Sequence, residues 1–404
     1  MAIKTDIAVI GASPAGLMAA RHAALGGAKV MLFEKKEEIG KDPHPANSVF
    51  KGMMNITGEK VDPSYVVHDI KGMKIVSPGG HKIKVKTQGY ALDKGAFDRF
   101  YEKKALAEGV EIKTGTEVVG LNRKDSGVVL KTAASGAGSG SGSDSEIPER
   151  VKAKVVIIAD GILSKNAQMA GLHTMKHPDD IAWGTELTIR APGIGEPDFA
   201  EYFVGSHAPG WKSTYLPRGG DEAAIGVYVR HYGRDVAPFL DSWIARFKDL
   251  KNISDDEFEI VERKSAGDPI VAIPDQTYTD NIMVAGGAAG QSGIGYAMHA
   301  GQIAGQVGAM AIAKGDYSAR TLSKYRSDWR SSLYTEHAFG RIGLETLRKM
   351  EDAEIDELFE VFEDEDVSSL IKGNTVNQGL SVISLMLQKK PSSILKASAF
   401  FRNK

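Results

Sequence analysis

The apolar run DIAVI at residues 6–10 leads into Gly11-Ala-Ser13-Pro-Ala15-Gly16, and an alanine-rich stretch from Leu17 to Leu25 follows before Gly26 and Gly27 stop it. KVMLFEKK then supplies a second apolar run ending at Glu34 and Lys35. A strand, a glycine turn, a helix and a second strand at this spacing make a compact βαβ unit of the dinucleotide-binding kind. Gly11 permits the tight turn, a small residue at Ser13 lets the backbone approach a pyrophosphate, and Gly16 allows close contact between helix and strand. The helix start adds unpaired amides and the positive end of its dipole. Glu34, 18 residues after Gly16, can accept hydrogen bonds from both ribose hydroxyls and would repel a 2′-phosphate. An adenine dinucleotide with a free ribose, FAD or NAD, is the expected ligand.

Two later segments repeat the pattern of an apolar strand ending on glycine. VVIIADGILSKNAQMAGL runs into Asp160-Gly161, with the polar Ser164 just beyond. By itself such an ending reads as a turn. Val284-Ala-Gly-Gly287-Ala-Ala-Gly290 is followed by Gly293, Ile294 and a long small-residue helix, whose start could face the N1/O2 edge of a flavin ring. Against a plain packing role for these glycines stands the order in which the three segments occur.

Composition narrows the chemistry. The chain has 404 residues and no cysteine, which excludes thiolate metal sites, iron–sulfur ligation and redox thiols, so redox work falls to a bound cofactor. Lys and Arg number 50 against 52 Asp and Glu, a balance that argues against a nucleic-acid partner. The N-terminus enters a strand pattern without signal-peptide character, and no stretch of about 18 apolar residues occurs, so a cytoplasmic protein is expected.

The fold class expected is α/β: a discontinuous Rossmann-like domain, an antiparallel-sheet substrate domain and a C-terminal helical region. The boundaries read from the pattern give residues 1–70, 93–180 and 274–318 to the first, 71–92 and 181–273 to the second, and 319–404 to the third. A helix is expected from Lys94 to Gly109, then the strands VEIKTGTEVVGL and GVVLKTAA; the Gly/Ser-rich SGAGSGSGSDSE reads as a hairpin tip. A helix near Ala237 to Lys248 covers the second sheet. Residues 351–366 read as a solvated acidic helix with Ile355, Leu358, Phe359 and Phe362 on one face. From Val367 to Lys404 basic residues accompany apolar clusters, which fits either a cap packed on the body or peripheral contact with an anionic membrane.

The ordered set of segments, together with EKKEEIG at 34–40 and LDKGAFD at 92–98, resembles the geranylgeranyl reductase family, flavoproteins of the p-hydroxybenzoate hydroxylase fold, over essentially the whole chain. The resemblance implies FAD, held at Gly11, Ser13, Ala15, Gly16, Glu34, Lys35, Lys94, Val118, Asp160, Gly161, Gly287, Gly293 and Ile294. It further implies reduction of carbon–carbon double bonds in an isoprenoid or similarly apolar lipid substrate. The electron donor is left open among ferredoxin, a deazaflavin and NAD(P)H. The chain departs from the family in four places. KDPHPANS stands where an Arg-Cys pair is customary, Gly287 replaces an aspartate that binds the ribityl chain, Lys94 replaces an arginine, and Lys212 and Thr214 replace a tyrosine and a tryptophan of the lipid pocket. His44 and, after it, His299 are the candidates for a polar neighbour of the flavin. A flavin monooxygenase or dehydrogenase of the same fold, and a non-catalytic flavin-binding or electron-transfer subunit, remain alternatives.

Overall fold

Val30–Phe33 and the second half of Glu149–Ile158 are buried on both faces, as strands at the centre of a parallel sheet must be. In the computed structural model these strands flank Ile3–Ile10, pairing with it in parallel register. The described residues are 3–363 except 46, 125–126, 136–148, 173, 175–177, 232, 271–273, 275 and 292, with the side chains of 336 and 339 also set aside. Across the sheet the order is Tyr278–Thr279, Ile282–Val284, Glu149–Ile158, Ile3–Ile10, Val30–Phe33 and Glu111–Lys113. One face packs on the helices Pro14–Leu25, Lys94–Ala107 and Ile294–Lys314. Val118, Val128 and Leu130, from the antiparallel strands Thr116–Lys124 and Gly127–Ala134, pack on the other.

Glycine sets how closely the first and last of these helices approach. A Cβ on Gly301 would overlap the carbonyl oxygen of Ala15, and one on Gly305 that of Ala19. The helix that follows the third glycine segment is thereby seated on the helix that follows the first, although the segments lie far apart in sequence.

The second sheet runs Glu259–Pro269, Ile181–Arg190, Glu222–Arg230, Lys212–Pro217, Phe199–Phe203, Val66–Val76, Lys82–Leu92 and Ser48–Phe50. Its strands are antiparallel except where Phe199–Phe203 lies parallel to Val66–Val76. One face is sealed by the helix Ala237–Lys251, with Trp243 and Phe247 packed among Tyr215, Val227 and Val229.

Three expectations change. Val66–Val76 crosses the expected boundary at residue 70 as one strand, and Ser48–Phe50 already pairs into the second sheet, so the first crossing between the units comes before Ser48. The weak alternation of VVHDIKGMKIV hides that strand's start. VEIKTGTEVVGL is two strands, because Gly115 turns the chain at φ +60°. The acidic helix, Asp352–Glu360, is not simply solvated: Ile355 and Phe359 are each 3% exposed, and Phe362 beyond it packs on Val85. Its acidic face also holds the body, for Asp356 Oδ1 accepts from the Gly79 amide at 2.7 Å. The hairpin tip at 136–148 and the basic segment 367–404 lie outside the described residues. Among those residues no helix is long and apolar enough to cross a membrane.

Candidate active site

Ser13 is the keystone of the first turn. Its Oγ donates to the Ala159 carbonyl at 2.9 Å and accepts from the Gly16 amide at 3.3 Å, capping the helix and tying it to the second segment at once. Gly11 sits at φ +95°, and a Cβ there would stand 2.7 Å from the Ala159 oxygen and 2.9 Å from the Asp160 Cα. At Gly16 a Cβ would overlap the Gly11 carbonyl. Glu34 closes the turn from the next strand, one oxygen accepting from Ala12 N at 2.7 Å and the other from Lys36 N at 2.9 Å. Lys35 is exposed, and its carbonyl accepts from the Ser135 hydroxyl.

The third segment meets both others. Gly286, at φ +68°, would place a Cβ 2.7 Å from that of Ala15, and a Cβ on Gly287 would touch Ile162 Cγ2 at 3.4 Å and the Gly161 Cα at 3.6 Å. Gln291 fixes the loop: it accepts from the Gly286 amide at 2.6 Å and donates to the buried Tyr325 hydroxyl at 3.1 Å. Gly293, at φ +86°, caps the long helix that begins at Ile294. Glycine-rich stretches from three regions of the chain therefore meet at one place, which supplies amides from two helix starts.

Asp160 marks what this place lacks. Its Oδ2 accepts from Asn166 at 2.8 Å, while its Oδ1 is buried with no hydrogen-bond partner among the described residues. Burial raises its pKa, against the hydrogen bonds it receives from Ser164 and Asn166. An unpaired buried carboxyl oxygen beside two glycine turns suits a ligand hydroxyl or amide. The donors and acceptors present fit FAD: Glu34 for the ribose, the Ser13–Gly16 amides for the pyrophosphate, and the Asp160–Gly161, Gly287 and Gly293–Ile294 segments for the flavin half.

The other expected residues have neighbours of their own. Lys94, the first residue of its helix and 5% exposed, is gripped by both carboxylate oxygens of Asp98 at 2.5 Å. Val118 is a core residue of the sheet's far face. His299 contacts Gln302 of its own helix through Nδ1 at 3.3 Å and Ser332 through Nε2 at 3.2 Å, so both nitrogens are engaged. His44 is placed between the units: its Nε2 lies 3.3 Å from the Gly267 carbonyl, an acceptor, which assigns the proton to that nitrogen. The residue keeps contact with solvent, while surrounding protein lowers its pKa by desolvation, with Asp268 opposing.

Residues unmarked by any motif join near His44. The Asn47 amide donates to Glu186, which also accepts from the Tyr228 hydroxyl at 3.2 Å. Desolvation pushes the Glu186 carboxyl up to about 8, the Tyr228 hydrogen bond and the cations Arg218, Lys264 and Lys212 pulling the other way. A single acid in the otherwise neutral strand interior AWGTELTI, on the same face as Gly184, was the available signal.

Two parallel-sheet glycine turns joined to a third over a sealed antiparallel sheet define an FAD-binding oxidoreductase, and sequence comparison places it. Residues 4–289 match the family described as FAD binding domain. Digeranylgeranylglycerophospholipid reductase 1 of Methanothermobacter thermautotrophicus is 30% identical, covering 99% of each chain. The digeranylgeranylglycerophospholipid reductase of Methanocaldococcus jannaschii is 32% identical over 88% of this chain and 90% of its own. A crystal structure of a geranylgeranyl bacteriochlorophyll reductase-like protein from Thermoplasma acidophilum superposes with a TM-score of 0.86 at 23% identity, covering 99% of this chain and all of that one. The chain belongs to this FAD-binding family, as a divergent member of its geranylgeranyl reductase group.

Proposed function

We propose that the protein reduces carbon–carbon double bonds in an isoprenoid or similarly apolar substrate, using FAD held by the three glycine segments. The observation that carries this reading is the placement of residues 42–45 and 47–50. Lys36, next to Glu34's strand, donates to the Asp42 carbonyl; His44 rests on Gly267, Asn47 on Glu186, and Ser48–Phe50 joins the second sheet. This segment thus links the cofactor side to the face of the second sheet opposite the Ala237–Lys251 helix, and a substrate between them would meet both.

When bound, FAD supplies the hydride for such a reduction. The chain's own residues bind, orient and exclude water. Glu34 and the Ser13–Gly16 turn would hold the adenine end, while the half-buried Phe50, packed on the buried cluster of Leu216, Ala224 and Ala200, adds an apolar surface at the sheet. His44 keeps Nε2–H on Gly267 and presents Nδ1 as an acceptor. The relatives, digeranylgeranylglycerophospholipid reductases by name, favour the same substrate class.

Electrons would come from ferredoxin, a deazaflavin or NAD(P)H. The purified protein should show an oxidised-flavin spectrum that one of these donors bleaches under anaerobic conditions, and an isoprenoid alkene should then restore the colour. Colour that returns only on admitting oxygen would overturn the proposal.

A further inference from the structure

We propose that Lys212, with Tyr228 and Glu186, forms a half-buried site on the face of the second sheet opposite the Ala237–Lys251 helix for a carboxylate or carbonyl oxygen, and that the double bond reduced is conjugated to that group. This rests on the reductase reading above.

The register puts the residues together. Tyr202 pairs with Thr214, Lys212 with Tyr228, Tyr228 with Gly184, and Glu186 with Lys264. Because side chains alternate along a strand, Tyr202, Lys212, Tyr228, Glu186 and Asp268 all project from the face opposite the Ala237–Lys251 helix. Glycine clears the space: a Cβ on Gly184 would overlap the Tyr228 ring, and one on Gly226 would come within 3.1 Å of it. The ring lies across both, and its hydroxyl reaches Glu186.

Lys212 is the unusual member. Its ammonium stands 4.4 Å from the centre of the Tyr202 ring and 5.0 Å from that of Trp211, and no carboxylate among the described residues comes within ion-pair distance. Desolvation lowers its pKa, with Asp268 and Glu186 opposing from farther away. Ring faces offset only part of the cost of removing an ammonium from water. A wholly hydrocarbon substrate would seal this cation off without an anion, whereas a carboxylate or polarised carbonyl would match it. The charge balance selects a monoanion or a neutral carbonyl over a phosphate dianion: of the cations near Glu186, Lys264 is paired with Glu262 and Arg218 with Glu222, which leaves Lys212, while Asp268 shares the face and Glu186 at neutral pH acts as a neutral donor.

Such an anchor also directs chemistry. A hydride equivalent adds to the β-carbon, the double-bond pair moves toward the oxygen held by Lys212, and a proton from the Glu186 carboxyl or water forms the C–H bond at the α-carbon. The substrate gains two electrons and two hydrogens, reduced FAD supplies the hydride, and solvent reprotonates Glu186.

The test uses FAD-loaded full-length protein with three ten-carbon probes: geranate, geraniol and geranyl phosphate. Calorimetry should find geranate bound at least tenfold more tightly than the other two. Lys212→Met should erase that preference while leaving geraniol affinity and the melting temperature unchanged, and Lys212→Arg should restore part of it. Only the conjugated bond of geranate should be reduced. Equal binding of geranate and geraniol, a preference for the phosphate, or a preference that survives Lys212→Met would overturn the site. A Lys212-dependent geranate preference in protein that never reduces an alkene would instead uphold the site and sink the reductase reading.

Discussion

Glu34 has two duties, because the carboxylate that would take the ribose also holds Ala12 N and Lys36 N. Glu34→Ala should therefore weaken FAD binding by about 1–3 kcal/mol, the scale of lost charge-assisted hydrogen bonds, when the dissociation constant is measured by fluorescence titration. Undiminished affinity would place the adenosine elsewhere. Neighbouring Gly286 and Gly287 separate backbone need from electrostatics. Gly286 lies at φ +68° against Ala15, so Gly286→Ala should cost about 1–3 kcal/mol of stability in a denaturant melt. Gly287 has an ordinary φ and room for a Cβ at van der Waals distance, so Gly287→Asp should fold, bind flavin and lower its reduction potential by adding negative charge. A potential unchanged in that folded variant would remove the loop from the flavin. Glu186 makes a different forecast. Between about pH 5 and 8 the unfolded chain ionises this carboxyl while the folded chain keeps it protonated. The folded state then binds more protons, and stability falls as pH rises through that window. Glu186→Gln should flatten that fall in melts recorded from pH 5 to 8; parallel wild-type and variant curves would contradict it.

Among the elements, the helix pair Pro14–Leu25 and Ile294–Lys314 carries the site, since its contact aligns two helix starts. Gly301→Val should force them apart, costing about 1–3 kcal/mol by overpacking and releasing FAD. Gly52→Ala, where nothing lies within 4 Å of the new Cβ, serves as the neutral control; equal behaviour of the two would mean the pair does not set the site. The three glycine segments and the covering helix were legible in sequence because their signals are local: a turn needing positive φ, a cap, a helical period. The wall made by Asn47, Glu186 and Tyr228 was not. Those residues lie in separate strands, and what makes each unusual, a shared face and lost water, exists only once the register is set. Lys212 was visible as a departure in WKSTYLP, yet only the pairing with Tyr228 gave it a setting.

For the molecule as a whole, the account requires the cofactor unit and the sheet face opposite the Ala237–Lys251 helix to act on one substrate between them, with Asp42, His44 and Asn47 at the join. The same fold could in principle direct oxygen rather than hydride to that face, so the decisive quantity is the product. Protein reduced under anaerobic conditions should be mixed with an unsaturated isoprenoid substrate and the product weighed by mass spectrometry, then the experiment repeated in air. The account predicts a gain of two hydrogens per double bond without oxygen, and no oxygen atom incorporated in air. A hydroxylated product formed only in air, with the double bonds intact, would contradict it.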